Sequence, residues 1–308
     1  VRFVQILRTP DERFLGLPNF GYEPRYAEVT DADGRTLRMA WVEDGACDGE
    51  PIVLLHGEPT WSFLWRKVIP PLASIGLRVI AVDQVGFGRS DKPTDASAFT
   101  FANLVECTRQ LLLDRLGLDR ITLVGQDWGG MVGLRVLAEN SERFARVVVT
   151  NTSLPTGDHK MPDPFWAFRR MVKLAPRIDF GALVSLGCTE SLTAAERAAY
   201  SAPFPDDSYC TGPRTLPEIT PVSPDDAATV ANRAAWQRLI ALDLPALVAF
   251  SDSDPMTSDM RHIFARVLPG ARGRRHPVYR GAGHMVAEDA GEALGEDIAA
   301  FVKETPLD

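Results

Sequence analysis

The sequence predicts an α/β protein, a mostly parallel sheet flanked by helices with a helical cap inserted between its two parts. Three observations carry this. Short, largely apolar runs (Pro51 to Leu55, Arg78 to Val82, Ile121 to Val124, Arg146 to Thr150) alternate with stretches of helical spacing, the pattern of a parallel sheet covered on both faces. Residues 155–228 then change character: prolines, the aromatics Phe165, Trp166, Phe168, Phe180 and Phe204, and short helical pieces without a convincing strand. The strand and helix alternation resumes at Ala246 to Phe250 and ends with a strand at His276 to Tyr279 and a helix over Glu288 to Val302. The expected organisation is a main domain built from 1–154 and 229–308, with 155–228 as the cap.

Each element has its own justification. Ala27 to Val29 and Leu37 to Val42 alternate around Asp33-Gly34, which predicts an antiparallel hairpin. A Gly/Pro loop after Leu55 leads to a helical stretch, Phe63 to Ile75, and further helices are expected over Leu104 to Leu116, Gly129 to Glu139 and Asp259 to Val267. With 308 residues, 45% of them hydrophobic, the chain can bury a sizeable core. A net charge of -8 argues against a nucleic-acid partner, which needs clustered Lys and Arg to neutralise phosphates. The patch Arg272, Arg274, Arg275 is short and reads as a solvated loop. Cys47, Cys107, Cys188 and Cys210 lack any CxxC spacing, so neither a metal site nor a disulfide framework is expected, and a reducing cytoplasm fits. Val1 to Asp11 is broken by Arg8 and Pro10, and no apolar stretch of about 18 residues occurs, so neither a signal peptide nor a membrane span is expected.

The chemistry concentrates at Gly125-Gln126-Asp127-Trp128-Gly129-Gly130, where a strand turns sharply into a helix. This has the form of a nucleophile elbow of the α/β-hydrolase fold with Asp127 in place of the usual serine. Its glycines allow the close backbone approach such a turn requires. A helix N-cap in a tight loop is the plainer alternative. A carboxylate nucleophile suits displacement at a saturated carbon and leaves an alkyl ester that water must hydrolyse with the help of a base. His284, in the loop after the last strand, fits the chain order nucleophile, acid, base. His56, His159, His262 and His276 each have an ordinary structural reading. The acid that orients the imidazole is expected at the end of a strand, and Ser251-Asp252-Ser253-Asp254 offers two candidates. Asp254 is preferred because Asp252 is equally explained as an Asx-turn residue. The backbone N–H groups of Glu58 and Trp128 are placed to form an oxyanion hole, while the Glu58 side chain reads as a loop carboxylate accepting local hydrogen bonds. Trp128 adds an indole N–H, a donor that cannot act as acid or base and therefore suits a departing halide. An epoxide-opening enzyme needs tyrosine hydroxyls over the nucleophile, and the cap holds only Tyr200 and Tyr209.

His56-Gly57-Glu58-Pro59-Thr60-Trp61-Ser62, Asp83 to Ser90, Gln126 to Gly130, Ala202 to Asp206 and Arg8-Thr9-Pro10-Asp11 together resemble the haloalkane dehalogenases over nearly the whole chain. The resemblance implies hydrolytic removal of halide from a small haloalkane by water, without metal or organic cofactor. It implies Asp127 as nucleophile, His284 as base and Trp128 as one halide donor. In the branch this sequence resembles, a cap tryptophan is the second donor; Trp166 is the best match and Trp236 the next. Another branch carries its acid just after the strand preceding the cap, where this chain has Asn151 and Thr152, which favours Asp254. Phe165, Phe168, Phe204 and Met131 are candidates for the pocket wall, and each also reads as an ordinary core residue. Three other readings stay open: an epoxide hydrolase, a haloacid dehalogenase, or a non-catalytic ligand receptor on the same fold.

Overall fold

The computed structural model describes residues 4–307; positions 1–3 and 308, at the outer ends of the two expected main-domain segments and including the Val1 start of the signal-peptide reading, lie outside it. A short strand pair, β1 (Ile6–Leu7) with β6 (Lys92–Pro93), ties the N-terminal segment down. The hairpin is β2 (Pro24–Thr30) and β3 (Thr36–Gly45), in the register Val29 to Leu37. Its turn is fixed by Asp31, whose Oδ1 accepts from the N–H groups of Asp33 (3.0 Å) and Arg35 (2.8 Å), an Asx-turn, with Gly34 at φ +84°.

Next come β4 (Pro51–Leu55), β5 (Arg78–Asp83), β7 (Ile121–Gln126), β8 (Phe144–Thr150) and β9 (Ala246–Val248). The main sheet has the order β2-β3-β5-β4-β7-β8-β9, antiparallel at the hairpin edge and parallel from β5 onward. Ile52 to Leu55, Val79 to Val82 and Ile121 to Val124 are all buried, which explains why these runs are apolar without alternation.

Helices α1 (Ile69–Ala73), α2 (Phe101–Arg109), α3 (Trp128–Glu139), α8 (Thr229–Leu239), α9 (Met260–Val267), α10 (Val286–Asp289) and α11 (Gly291–Glu304) accompany the sheet. Helices α4 (Asp163–Leu174), α5 (Phe180–Leu186), α6 (Ala194–Ser201) and α7 (Thr211–Ile219) follow β8 with no strand among them.

Four expected elements differ in detail. The stretch at Ser62–Lys67 is 3-10 helix, and α1 begins only at Ile69, where Pro70 and Pro71 fit a first helical turn but cannot continue an earlier one. The helix expected to Leu116 loosens into π geometry over Gln110–Arg115. The strand expected over Ala246 to Phe250 splits, and β10 (Phe250–Ser251) leaves the main sheet to pair with β11 (Val278–Tyr279). The final helix breaks at Ala290, whose φ of −138° interrupts it between α10 and α11.

Candidate active site

Asp127 stands between β7 and α3 at φ 50°, ψ −125°, a conformation that disfavours any side chain and costs about 1–3 kcal/mol. Neighbouring bonds impose it. Asp127 N–H donates to Asn151 O (3.0 Å), and its carbonyl accepts from Thr152 Oγ1 (2.7 Å) and Met131 N–H (3.0 Å). The flanking glycines are a packing requirement: a Cβ on Gly125 would lie 2.5 Å from Gly130 Cα, and one on Gly129 would run into the Leu55 carbonyl. The elbow expected from the sequence is therefore present, and its carboxylate sits where Glu58 N–H donates to Oδ1 at 2.7 Å. Trp128 begins α3, so its backbone N–H, like any in a first turn, has no helical acceptor.

On the other side of the carboxylate, His284 Nε2 lies 3.6 Å from Asp127 Oδ2. Its Nδ1 faces Asp254 Oδ2 at 3.0 Å. Asp254 is 1% exposed and also accepts from Met256 N–H (2.8 Å), Asn151 Nδ2 (3.1 Å) and the Thr257 hydroxyl. Asp252 is exposed instead, and its Oδ1 accepts from Gly281 N–H (2.7 Å) and Ser253 Oγ (3.1 Å), the turn role. Burial alone would raise the Asp254 carboxyl, but the charge and hydrogen bond of His284, with the Thr257 and Met256 donors, bring it down to about 2. Burial pulls His284 down as well, yet Asp254 and Asp127 outweigh it and lift the imidazole to about 10. The imidazole thus lies between two carboxylates, both of which favour its charged form.

Several positioning residues carried no signal in the sequence reading. Asn151, at φ 38° after β8, donates to Ser251 Oγ (2.6 Å), Asp254 and Gly283 O (3.2 Å), tying the Asp254 loop to the loop that carries His284. Gln126 Nε2 donates to His284 O at 3.2 Å. The segment after His284 is stitched to the α5–α6 region. Met285 N–H donates to Gly187 O (2.9 Å), and Asp289 accepts from Gly283 N–H (2.7 Å) and Glu190 N–H (3.0 Å). Glu288 is buried and bound by Arg66 and by the Tyr200 hydroxyl of α6.

Above the carboxylate opens a cavity of about 460 Å³, lined at the reacting end by Glu58, Asp127, Trp128 and His284 and elsewhere largely by apolar side chains such as Met131, Phe165, Phe168, Met171 and Leu183. Trp128 is buried against Phe101 (centroids 5.2 Å apart), and its indole N–H donates to none of the described residues. Phe204 is not in this wall; it stacks on Phe180 with centroids 3.9 Å apart.

The expectation for Trp166 is corrected. It is 39% exposed, packed beside Arg169 (5.6 Å) and Phe165 (5.3 Å), and does not line the cavity. On α4 the inward positions are Phe165, Phe168 and Val172, spaced three and four apart, so Trp166 is turned about 100° from the inner face. Trp236 is engaged elsewhere, its Nε1 donating to Leu154 O at 2.7 Å. The Glu58 side chain is also corrected: buried, its two carboxyl oxygens accept no hydrogen bond from any described residue. Neither Tyr200 nor Tyr209 reaches the cavity.

No helix among the described residues is long and apolar enough to cross a membrane, and no group of three or more His, Cys, Asp or Glu among them is arranged to hold a metal.

A family model described as the alpha/beta hydrolase fold matches residues 50–290. A haloalkane dehalogenase of Psychrobacter cryohalolentis is 45% identical, the match covering 89% of this chain and 90% of that protein. One from Mycobacterium marinum is 44% identical over 89% and 92% of the two chains. Among solved structures, the haloalkane dehalogenase DpaA of Paraglaciecola agarilytica superposes with a TM-score of 0.85 at 31% identity, covering 98% of both chains. With relatives this similar over nearly their full length, the chain belongs to the haloalkane dehalogenases of the α/β hydrolase fold.

Proposed function

We propose that this chain hydrolyses the carbon–halogen bond of small haloalkanes, giving an alcohol, a halide ion and a proton. The observation that carries this is the elbow aspartate, held with His284 Nε2 3.6 Å away, at the end of a largely apolar cavity that offers an unpartnered indole N–H. Asp127 attacks the halogen-bearing carbon; the carbon–halogen pair of electrons leaves with the halide, which the Trp128 indole receives. Glu58 N–H, already bonded to Asp127 Oδ1, and the Trp128 backbone N–H stabilise the oxyanion of the second step. Ester formation removes the charge on Asp127, one of the two carboxylates that favour the imidazolium, so His284 releases its proton to bulk water, where it is the proton among the products. His284, oriented by Asp254, then takes a proton from the water that attacks the ester carbon and gives it to the alkoxide as the carbonyl C–O bond breaks; the alcohol leaves, and the new Asp127 carboxyl returns its own proton to His284, restoring the starting carboxylate.

The helices α4 to α7 within 155–228 serve as the cap over a main domain of 1–154 and 229–308. The reaction needs no metal or organic cofactor, and a cytoplasmic location fits four free cysteines. Epoxide opening is disfavoured because the buried Tyr200 hydroxyl is committed to Glu288 and no cap tyrosine lines the cavity.

The test is bromide release from a short terminal bromoalkane without added metal, beside Asp127→Asn. Release that depends on Asp127 is expected. No release across several chain lengths, with turnover of a matched epoxide instead, overturns the proposal.

A further inference from the structure

We propose that Gln126 is a positioning residue for His284, its side-chain amide favouring a bare Nε2, the form in which the imidazole can take a proton from water. The inference rests on the dehalogenase reading for its kinetic consequence. Gln126 closes β7 one residue before the elbow aspartate and is 1% exposed. Its Nε2 lies 3.2 Å from His284 O and 3.4 Å from His284 Nε2. A carbonyl oxygen only accepts, so the amide turns its NH2 group, not its oxygen, toward His284. That group has two hydrogens. One serves the backbone of His284 and the other faces its ring, so a single side chain holds both parts of the base.

An amide N–H cannot accept. Set opposite Nε2, it is satisfied only when that nitrogen carries its lone pair and the ring proton sits on Nδ1, where Asp254 Oδ2 accepts it at 3.0 Å. Asp127 Oδ2, 3.6 Å from the same nitrogen, has the opposite preference. Donor and acceptor thus compete for one atom. While Asp127 is charged it draws a proton to Nε2; once it is an uncharged ester, the Gln126 donor remains and helps the ring part with that proton before water attacks. The other half of the amide points the same way. Gln126 Oε1 is buried and has no hydrogen-bond partner among the described residues. Burying an unpaired acceptor costs stability, so a side chain needed only for packing would do better apolar, and the NH2 group is the part the site uses. The titratable groups facing the ring are Asp127 from the elbow and Asp254 from the loop after β10; Glu58 and Cys188 are the others of the cavity wall.

The test is Gln126→Met, close in size and without an N–H. His284 is titrated by nuclear magnetic resonance in an Asp127→Ala background, which removes the charge as the ester does and adds no donor of its own. Gln126→Met is expected to raise the His284 midpoint by about half a unit to one unit, the scale of one hydrogen bond. In rapid mixing with excess bromoalkane, the Gln126→Met protein with Asp127 intact should keep the quick first release of bromide. Its ester should hydrolyse about three- to tenfold more slowly below the new midpoint and regain the wild-type rate above it. A merely structural role would slow the step at every pH. An unchanged midpoint, an equal loss at all pH values, or loss of the first bromide release overturns the inference. If Gln126→Met does not fold, the Asp127→Ala protein decides. One Gln126 amide hydrogen must shift downfield as His284 loses its proton, the sign of gaining an acceptor, and no shift or the opposite one overturns it. A raised midpoint in a protein that releases no bromide from any bromoalkane would sink the dehalogenase reading and leave the Gln126 result standing on its own.

Discussion

Replacing Asp254 by asparagine keeps the volume and one acceptor oxygen but deletes the charge behind His284. The magnitude follows from the site. His284 is held at about 10 against an ordinary 6.5, a displacement corresponding to about 5 kcal/mol in favour of the imidazolium. Burial works against this, Asp254 and Asp127 supply it, and once Asp127 is esterified only Asp254 remains. Losing it is expected to cost the ester-hydrolysis step about 3 kcal/mol or more, roughly 10²- to 10⁴-fold in rate, the upper end applying if the imidazole also adopts the wrong tautomer. Alkylation needs no base and should stay much closer to wild type. The assay is rapid mixing with excess bromoalkane. Asp254→Asn should release about one bromide per active site quickly and then stall, while intact-mass measurement shows the alkyl group in place of one hydrogen. Asp252→Asn, altered in an exposed turn, should turn over like wild type. Unchanged steady-state turnover in Asp254→Asn, or a stall in Asp252→Asn instead, would refute the assignment of the acid.

Two further predictions follow from the geometry. Because Asp254 is lowered to about 2 from 3.8, its stabilisation is present above 3.8 and lost as pH falls through about 2; because His284 is raised to about 10, its share is complete below 6.5 and lost as pH rises through about 10. The urea midpoint of wild type should therefore exceed that of Asp254→Asn most between those limits and by less at pH 9.5 than at pH 5.5; a constant gap would contradict the coupling. Trp166→Phe should leave bromide binding and release within about twofold of wild type, since surface changes away from a site rarely matter, and a tenfold loss would place Trp166 in the halide site after all.

How much of this was legible beforehand depended on range. The elbow was, because its signals are local: a buried run, small residues where backbones touch, and a helix behind them. Ile121 to Val124 and Gly125 to Gly130 show both the turn and the carboxylate at its apex without any distant contact. The place of His284 beside Asp127 followed from chain order. Asp254 could be preferred to Asp252 only on turn chemistry and on the resemblance, since both end the same strand and only the path of the loop buries one and leaves the other in a turn with Gly281. The error at Trp166 had a readable cause: Phe165, Phe168 and Val172 already define a helical stripe, and Trp166 falls outside it. The bridging role of Asn151 escaped notice because it lies in three contacts, two of them more than a hundred residues away in sequence. The solitary carboxyl of Glu58 was also hidden, since a sequence shows which groups are polar but not which are left without partners.

The bonds around Glu288 and Asp289 have a mechanical meaning. They fasten the segment that carries His284 to Gly187, Glu190 and Tyr200, and Gly187 itself belongs to the cavity wall. The wall and the imidazole-bearing segment are thus joined by hydrogen bonds. A substrate tail bulky enough to wedge α5 outward drags on the imidazole at the same time, so oversize substrates should betray themselves less by poor binding than by esters that outlive their formation.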